Sequence, residues 1–263
     1  MARTGVEKIR REIFLDPRPE RWRIGVVVLA TDHTTERDFA RICPREEVGV
    51  YVNRVAYENP TTLENLARMK PRLSEAAAMI LPGESLDALY YSCTAASVLL
   101  GDEAVRAALD EAKPGVPVIT PSLAARAALA TLEARRISIL TPYLPETGGL
   151  IGDYFSGYGF EVLNLECMGL EDDREMARIS LRDIFTAATK AVAAEAEALF
   201  ISCTALRGAQ VAGEIEREIG RPVITSNQAG IWLSLRNAGV NDPIEGFGRL
   251  MRLPVYKGDT PIS

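Results

Sequence analysis

Residues 86–96 read LDALYYSCTAA and residues 196–206 read AEALFISCTAL. Each stretch is a short apolar run of strand length that ends in Ser-Cys-Thr-Ala. In each copy a helical stretch follows, and then a strand introduced by Gly-x-Pro-Val-Ile-Thr, at Gly115–Thr120 and again at Gly220–Thr225. Upstream, RIGVVVLATDHTTE from Arg23 matches RISILTPYLPET from Arg136: Arg-Ile, a mainly apolar run, then a polar loop with threonines. The copies are offset by 113 residues at Ile24 and Ile137, 110 at Cys93 and Cys203, and 105 at Val118 and Val223, a spread that loop lengths absorb. A unit repeated in this way implies two related halves.

Outward from these segments, β-branched runs alternate with alanine-rich stretches, the signature of βα units around a parallel sheet. Strands are predicted at Arg23–Leu29, Ala88–Ser92, Val116–Ile119, Arg136–Leu140, Glu161–Leu165, Ala198–Ser202 and Arg221–Ile224. Apolar spacing near 3.6 residues predicts helices over Pro60–Leu81 and Leu181–Ala198, and less cleanly over Ala96–Ala112. The fold class is α/β: two pseudo-symmetric Rossmann-like lobes with parallel sheets and an active site in the cleft between them. The chain is expected to cross between lobes after each Pro-Val-Ile-Thr strand. Residues 1–121, completed by 227–263, then form lobe 1, and residues 122–226 form lobe 2.

Composition narrows the function. The chain has 263 residues, 47% hydrophobic and 25% charged, which is ordinary for a globular protein, and its net charge of -6 comes without clustered Lys and Arg. A nucleic-acid or anionic-membrane surface is therefore not expected, and a small soluble carboxylate is the preferred partner class. No apolar stretch reaches membrane-span length and residues 1–16 lack a signal-peptide core, so a cytoplasmic location is expected. A homo-oligomer, dimer or tetramer, is also expected. The four cysteines, Cys43, Cys93, Cys167 and Cys203, are not expected to form a disulfide scaffold in a reducing compartment. With one histidine, His33, and no CxxC or HExxH spacing, no metal site is assigned. Phosphate-binding glycine motifs for nicotinamide or pyridoxal phosphate are also missing, so no cofactor is assigned.

Ligands in open α/β sheets bind at the carboxyl edge, so both Cys-Thr loops point into one cleft. A thiol between a strand end and a helix start lies near the positive end of a helix dipole and free backbone N–H groups, which favour the thiolate. Thr94, Ala95, Thr204 and Ala205 are small enough to let a substrate carboxylate approach those N–H groups. Two such loops place a proton donor and a proton acceptor on opposite faces of one carbon, as racemisation or double-bond isomerisation requires. A single strand-end cysteine is more often inert packing. Recurrence of Ser-Cys-Thr-Ala at the same point of both halves favours function for Cys93 and Cys203, whereas Cys43 and Cys167 lack the context and are read as packing residues.

The paired SCT loops, TPY at Thr141–Tyr143, GLEDD at Gly169–Asp173 and ATDHTTERDF at Ala30–Phe39 together resemble the Asp/Glu racemase superfamily, from about Arg23 to Met251. Within it the chain resembles the maleate isomerase and ectoine-utilisation branch, with arylmalonate decarboxylases and hydantoin racemases as more distant relatives. The resemblance implies that Cys93 is the nucleophile, that Cys203 donates or accepts the proton, and that Tyr143 hydrogen-bonds a substrate carboxylate. Two substrate-binding asparagines of the isomerases fall on His33 and Asp173, departures that put maleate itself in question. An aspartate repels a dianion and pairs with an ammonium group, so an amino acid or diamino acid derivative becomes a candidate. Competing structural readings are a loop cap for His33, a packed aromatic for Tyr143, and a solvated helix start for Asp172 and Asp173. Two other functions stand beside the isomerase or racemase. One is a decarboxylase on the same fold, disfavoured because those enzymes keep only the second cysteine; the other is a two-lobed ligand-binding protein, which needs neither thiol.

Overall fold

In the computed structural model, which describes Gly5, residues 7–44 and residues 46–256, the two Arg-Ile runs become the inner strands of two separate sheets. The strands are β1 (Trp22–Leu29), β2 (Val48–Val55), β3 (Ala88–Ser92), β4 (Val118–Ile119), β5 (Arg136–Tyr143), β6 (Glu161–Leu170), β7 (Ala198–Ile201) and β8 (Val223–Thr225). The first sheet runs β2-β1-β3-β4 and the second β6-β5-β7-β8, with every described pairing parallel. The same order in both halves is the structural form of the sequence repeat. β1, which lies between helices Leu73–Ala78 and Ser226–Ala238, is buried from Arg23 to Leu29 and β3 along its whole length, which is why both are rich in apolar residues.

Strand β2 is not among the seven predicted runs. Gly49, Asn53 and Arg54 interrupt its apolar character, which an edge strand tolerates because one side has no strand neighbour. Strands β5 and β6 extend past their predicted ends into the loops that reach the cleft. The helix expected over Pro60–Leu81 is broken into Leu63–Ala67, a 3-10 turn at Lys70–Arg72 and Leu73–Ala78. Pro71 explains the break, since it has no N–H to donate and its ring obstructs the preceding turn. The expected Ala96–Ala112 helix divides into Thr94–Leu100 and Asp102–Asp110 at Gly101, whose φ of 85° is one that L side chains rarely adopt. Leu181–Ala198 is helical only to Lys190.

Helix Ser226–Ala238, which follows β8 of the second sheet, lies across β1 and β3 of the first. It is buried on nearly all sides, with Ile231, Trp232 and Leu235 fully enclosed. Gly230 faces β3 so closely that a Cβ there would collide with the Tyr90 ring. Helix Pro121–Thr131, which follows β4, packs on that helix and reaches β8. The tail is clamped to the long helix: Trp232 Nε1 donates to Leu253 O (2.8 Å) and Arg236 donates to the carbonyls of Val240, Met251 and Leu253.

Candidate active site

The two cysteines stand just beyond the carboxyl ends of β3 and β7, the equivalent strands of the two sheets. Cys93 keeps extended backbone (φ -154°, ψ 108°) and caps helix Thr94–Leu100, so the Ala96 N–H meets its sulfur. Cys203 differs: its φ is +105°, and the chain continues through an irregular loop and a 3-10 turn at Gly208–Gln210 before a helix begins at Ala212. The helix expected directly after the second Ser-Cys-Thr-Ala is thus displaced. In its place the strained backbone turns the amides of Ala205 and Leu206 toward the Cys203 sulfur.

One serine ties the two loops together. Ser226 Oγ accepts from the Cys203 N–H (3.0 Å) and from Thr94 Oγ1 (2.8 Å). Thr204 Oγ1 donates to Ser92 O (3.2 Å), Asn227 Nδ2 to Thr204 O (2.9 Å), and Thr34 Oγ1 to Ala205 O (2.7 Å). These bonds hold the loops after β1, β3 and β7 and the start of helix Ser226–Ala238 as one network. Thr94 and Thr204 spend their hydroxyls on it, while Ala95 and Ala205 lie buried beside the sulfurs.

A second layer comes from the loops after the edge strands β2 and β6. The Thr61 N–H donates to Glu171 O (2.7 Å) and the Asp173 N–H to Asn59 Oδ1 (3.3 Å), which brings Asp173 inward. Its carboxylate accepts from Thr31 Oγ1 (2.9 Å) and Thr61 Oγ1 (3.3 Å), and Tyr57 donates in turn to Thr61 Oγ1 (2.9 Å). Asp173 is buried, close enough to raise the pKa of both thiols and of Tyr57 and Tyr143. Tyr143 is hydrogen-bonded to Cys203 and Tyr91 to Cys93, and Met176 Sδ lies 3.9 Å from Cys203 Sγ.

Burial decides the protonation states. Cys93 and Cys203 are only 5% and 4% exposed. Desolvation first, and the Asp173 charge second, push the Cys203 thiol up to about 12 and Cys93 upward as well. The amides that face the sulfurs work in the opposite direction and lose, so the expected resting thiolate is replaced by two protonated thiols. Asp173 is itself pushed up to about 6, again mainly by burial and against the two threonine hydrogen bonds.

The structure therefore gathers Cys93, Thr94, Ala95, Tyr143, Asp173, Thr204 and Ala205 around one centre, and leaves His33 outside it. His33 is exposed and lines a separate cavity with Thr34 and Arg37. Thr31, Tyr57, Thr61, Tyr91, Met176 and Ser226 were not singled out from the sequence. Thr31 lies in a motif quoted for its resemblance and Tyr91 in the first repeated strand, where it reads as one of its apolar run; the others come from segments outside the aligned repeats. Cys43 is buried at the end of helix Thr35–Ile42, and Cys167 is half-buried within β6, both in other parts of the fold. Among the described residues no group of three or more His, Cys, Asp or Glu side chains could hold a metal ion, and no helix is long and apolar enough to cross a membrane.

Residues 65–251 match the family described as arylmalonate decarboxylase. The chain is 26% identical over 241 residues to maleate isomerase of Nocardia farcinica, covering 88% of this chain and 95% of that protein. It is also 26% identical over 236 residues to arylmalonate decarboxylase of Bordetella bronchiseptica, covering 86% and 95%. Among solved structures, a mutant of the Nocardia farcinica maleate cis-trans isomerase with a covalently bound succinylcysteine intermediate superposes with a TM-score of 0.81. That match is 24% identical and covers 88% of this chain and 98% of the other.

Proposed function

We propose, from the premise that the chain belongs to the arylmalonate decarboxylase family, that it is a cofactor-independent isomerase of a small carboxylate which works through Cys93 and Cys203. The observation that carries this reading is the pair of thiols at equivalent strand ends, buried in one site with Asp173, Tyr91 and Tyr143. A decarboxylase of the resembling type needs only the second cysteine, and this chain keeps both.

Two protonated thiols suit an addition–elimination route. The Cys93 sulfur bonds one alkene carbon while the neighbouring carbon takes the Cys203 proton, and the proton that Cys93 loses restores Cys203. The C–C bond, now single, rotates; reversal of the same transfers expels the Cys93 sulfur and returns both thiols. Cysteine adduct formation of this kind is what the succinylcysteine intermediate records in the relative. On an amino-bearing substrate one cysteine, once it has given up its own proton, takes the α-proton as the thiolate while the thiol of the other delivers its proton to the opposite face, which is racemisation. Asp173 favours this second reading, because an ionised carboxylate in a desolvated site disfavours a maleate-like dianion and pairs with an ammonium or amide N–H. In either reaction Tyr143 supplies a hydrogen bond to the reacting carboxylate, and the small residues Thr94, Ala95, Thr204 and Ala205 leave room for it beside the loop N–H groups.

The test is a screen of small carboxylates in heavy water, followed by proton NMR for deuterium next to a carboxylate. Wild-type protein should exchange at least one of them, and Cys93→Ser and Cys203→Ser should each abolish the exchange while the circular dichroism spectrum stays unchanged, because a hydroxyl is a far poorer nucleophile and base than a thiolate. Exchange at wild-type rate in either variant would sink the two-thiol reading.

A further inference from the structure

Before β1 the chain is apolar where nothing covers it. Ile9 and Ile13 are more than half exposed, and Phe14 and Leu15 are 85% and 87% exposed, on a segment with no helix or strand from Glu7 to Asp16. Three consecutive apolar side chains standing free in water are a liability unless another surface receives them.

A surface of matching shape lies at the open edge of the first sheet. β2 is an edge strand, so one side of its backbone has no strand neighbour. Beside it runs a groove of about 610 Å³ between Val48, Val50 and Val52 of the strand and Phe39, Ala40 and Cys43 at helix Thr35–Ile42. The three valines share one face of β2, so a segment laid extended along that edge presents every second side chain to them. Ile13 and Leu15 have that spacing, and Phe14 between them falls on the other face, which carries Tyr51. The corresponding groove of the second half, between helix Pro145–Gly157 and β6, is lined by Asp153, Ser156, Gly149 and Gly152 as well as Val162 and Leu165, and is a poorer apolar seat.

Within one chain the arm is led away from its own groove. The N–H groups of Arg21 and Trp22 donate to Glu47 O (3.1 and 3.0 Å), which roots the arm at the start of β2. Glu20 then lies against Gly49 and accepts from Tyr51, on the face of β2 opposite the three valines. Arg18 turns inward, its Nη1 donating to Asp87 Oδ2 (3.2 Å) just before β3, and Pro17 and Pro19 fix the backbone on either side of it. The arm therefore starts at the open edge, leaves its apolar residues in solvent, and leaves the valine groove of its own chain unfilled.

We propose that this groove receives residues 13–15 of a second copy, and that two chains exchange their arms about a twofold axis. Root and groove both belong to the β2 edge, so one meeting of two such edges satisfies both arms at once, as a closed twofold contact requires. The incoming backbone also pairs with the free side of β2, which closes an otherwise open sheet edge.

Sedimentation velocity of the full chain at micromolar concentration tests this. Wild type should sediment as a dimer. The double substitution Ile13→Asp/Leu15→Asp, at side chains outside the core, should weaken association by on the order of a hundredfold or more, since two apolar side chains per arm return to water. Ala40→Arg, at an exposed helix position that rims the groove, should do the same from the receiving side without moving the unfolding midpoint. Under mild oxidation Leu15→Cys/Val50→Cys should form a disulfide between two chains, seen as a dimer on a non-reducing gel, whereas Leu15→Cys/Leu165→Cys should not. The proposal is overturned if wild type sediments as a monomer, or if the arm variant or Ala40→Arg keeps the wild-type association constant. It is equally overturned if the Val50 disulfide closes within one chain, or if the Leu165 pair cross-links instead.

Discussion

Asp173→Asn is expected to stabilise the protein at pH 8 and to give no such gain near pH 3.5. Burial raises the Asp173 carboxyl to about 6 from an ordinary 3.8, so the folded state holds this proton more tightly than the unfolded chain does. Ionisation in place therefore costs stability. The loss is absent below about pH 3.8, grows between that value and about 6, and is complete above it. At about 1.4 kcal/mol per pH unit the penalty amounts to roughly 3 kcal/mol. Asparagine removes the charge but accepts only one of the hydrogen bonds from Thr31 and Thr61, which returns about 1 kcal/mol and leaves a net gain of roughly 2. For a chain of this size that is about 4–8 °C in Tm. Asp38, likewise buried and pushed up to about 6, is present in both proteins and cancels in the difference. The assay is urea unfolding of wild type and variant at half-unit pH steps from 3.5 to 8. A stability difference that does not change with pH, or one that favours wild type at pH 8, would refute the reasoning.

Three further outcomes follow from the same structure. At pH 8 the thiolate fraction of Cys203 is about a thousandfold below that of a free thiol, so mass spectrometry should find iodoacetamide on half-buried Cys167 long before Cys203 or Cys93; equal rates would contradict the burial argument. Cys203→Gly should exceed Cys203→Ala in stability by about 1 kcal/mol in urea, because only glycine adopts a φ of +105° without strain. Gly230→Ala should cost about 1–3 kcal/mol by driving the long helix off Tyr90, and a neutral effect on the urea midpoint would show that the helix can shift freely.

Much of this architecture was legible because duplication leaves a signal that single motifs do not. The repeated Ser-Cys-Thr-Ala located both thiols, and the repeated Arg-Ile runs located β1 and β5, one inner strand of each sheet. Pro71 and Gly101 break the helices although the apolar spacing runs on through both residues. The protonation state of the thiols was not legible, since it depends on how completely the site is closed. Strand-end position suggested thiolates, and desolvation reversed that. Nor could Tyr57, Thr61 and Met176 be found: they come from the segments after β2 and β6, where Tyr57 and Thr61 hold Asp173 and Met176 meets the Cys203 sulfur, and only the approach of the two halves gives those segments a common purpose. Asp173 illustrates the middle ground, because its departure from an amide was readable while its burial was not.

The placement of helix Ser226–Ala238 bears on how the chain is made. One face of the first sheet is covered by a segment that leaves the ribosome roughly 120 residues after β4 does. At about 5–20 residues per second that delay is on the order of ten seconds, during which β1 and β3 have no partner for Ile231, Trp232 and Leu235. The first sheet keeps that apolar face uncovered until the helix emerges. The link between the two cysteine loops forms only when Ser226 arrives at the head of that helix, so a polypeptide truncated before it carries both thiols without the serine that ties their loops together.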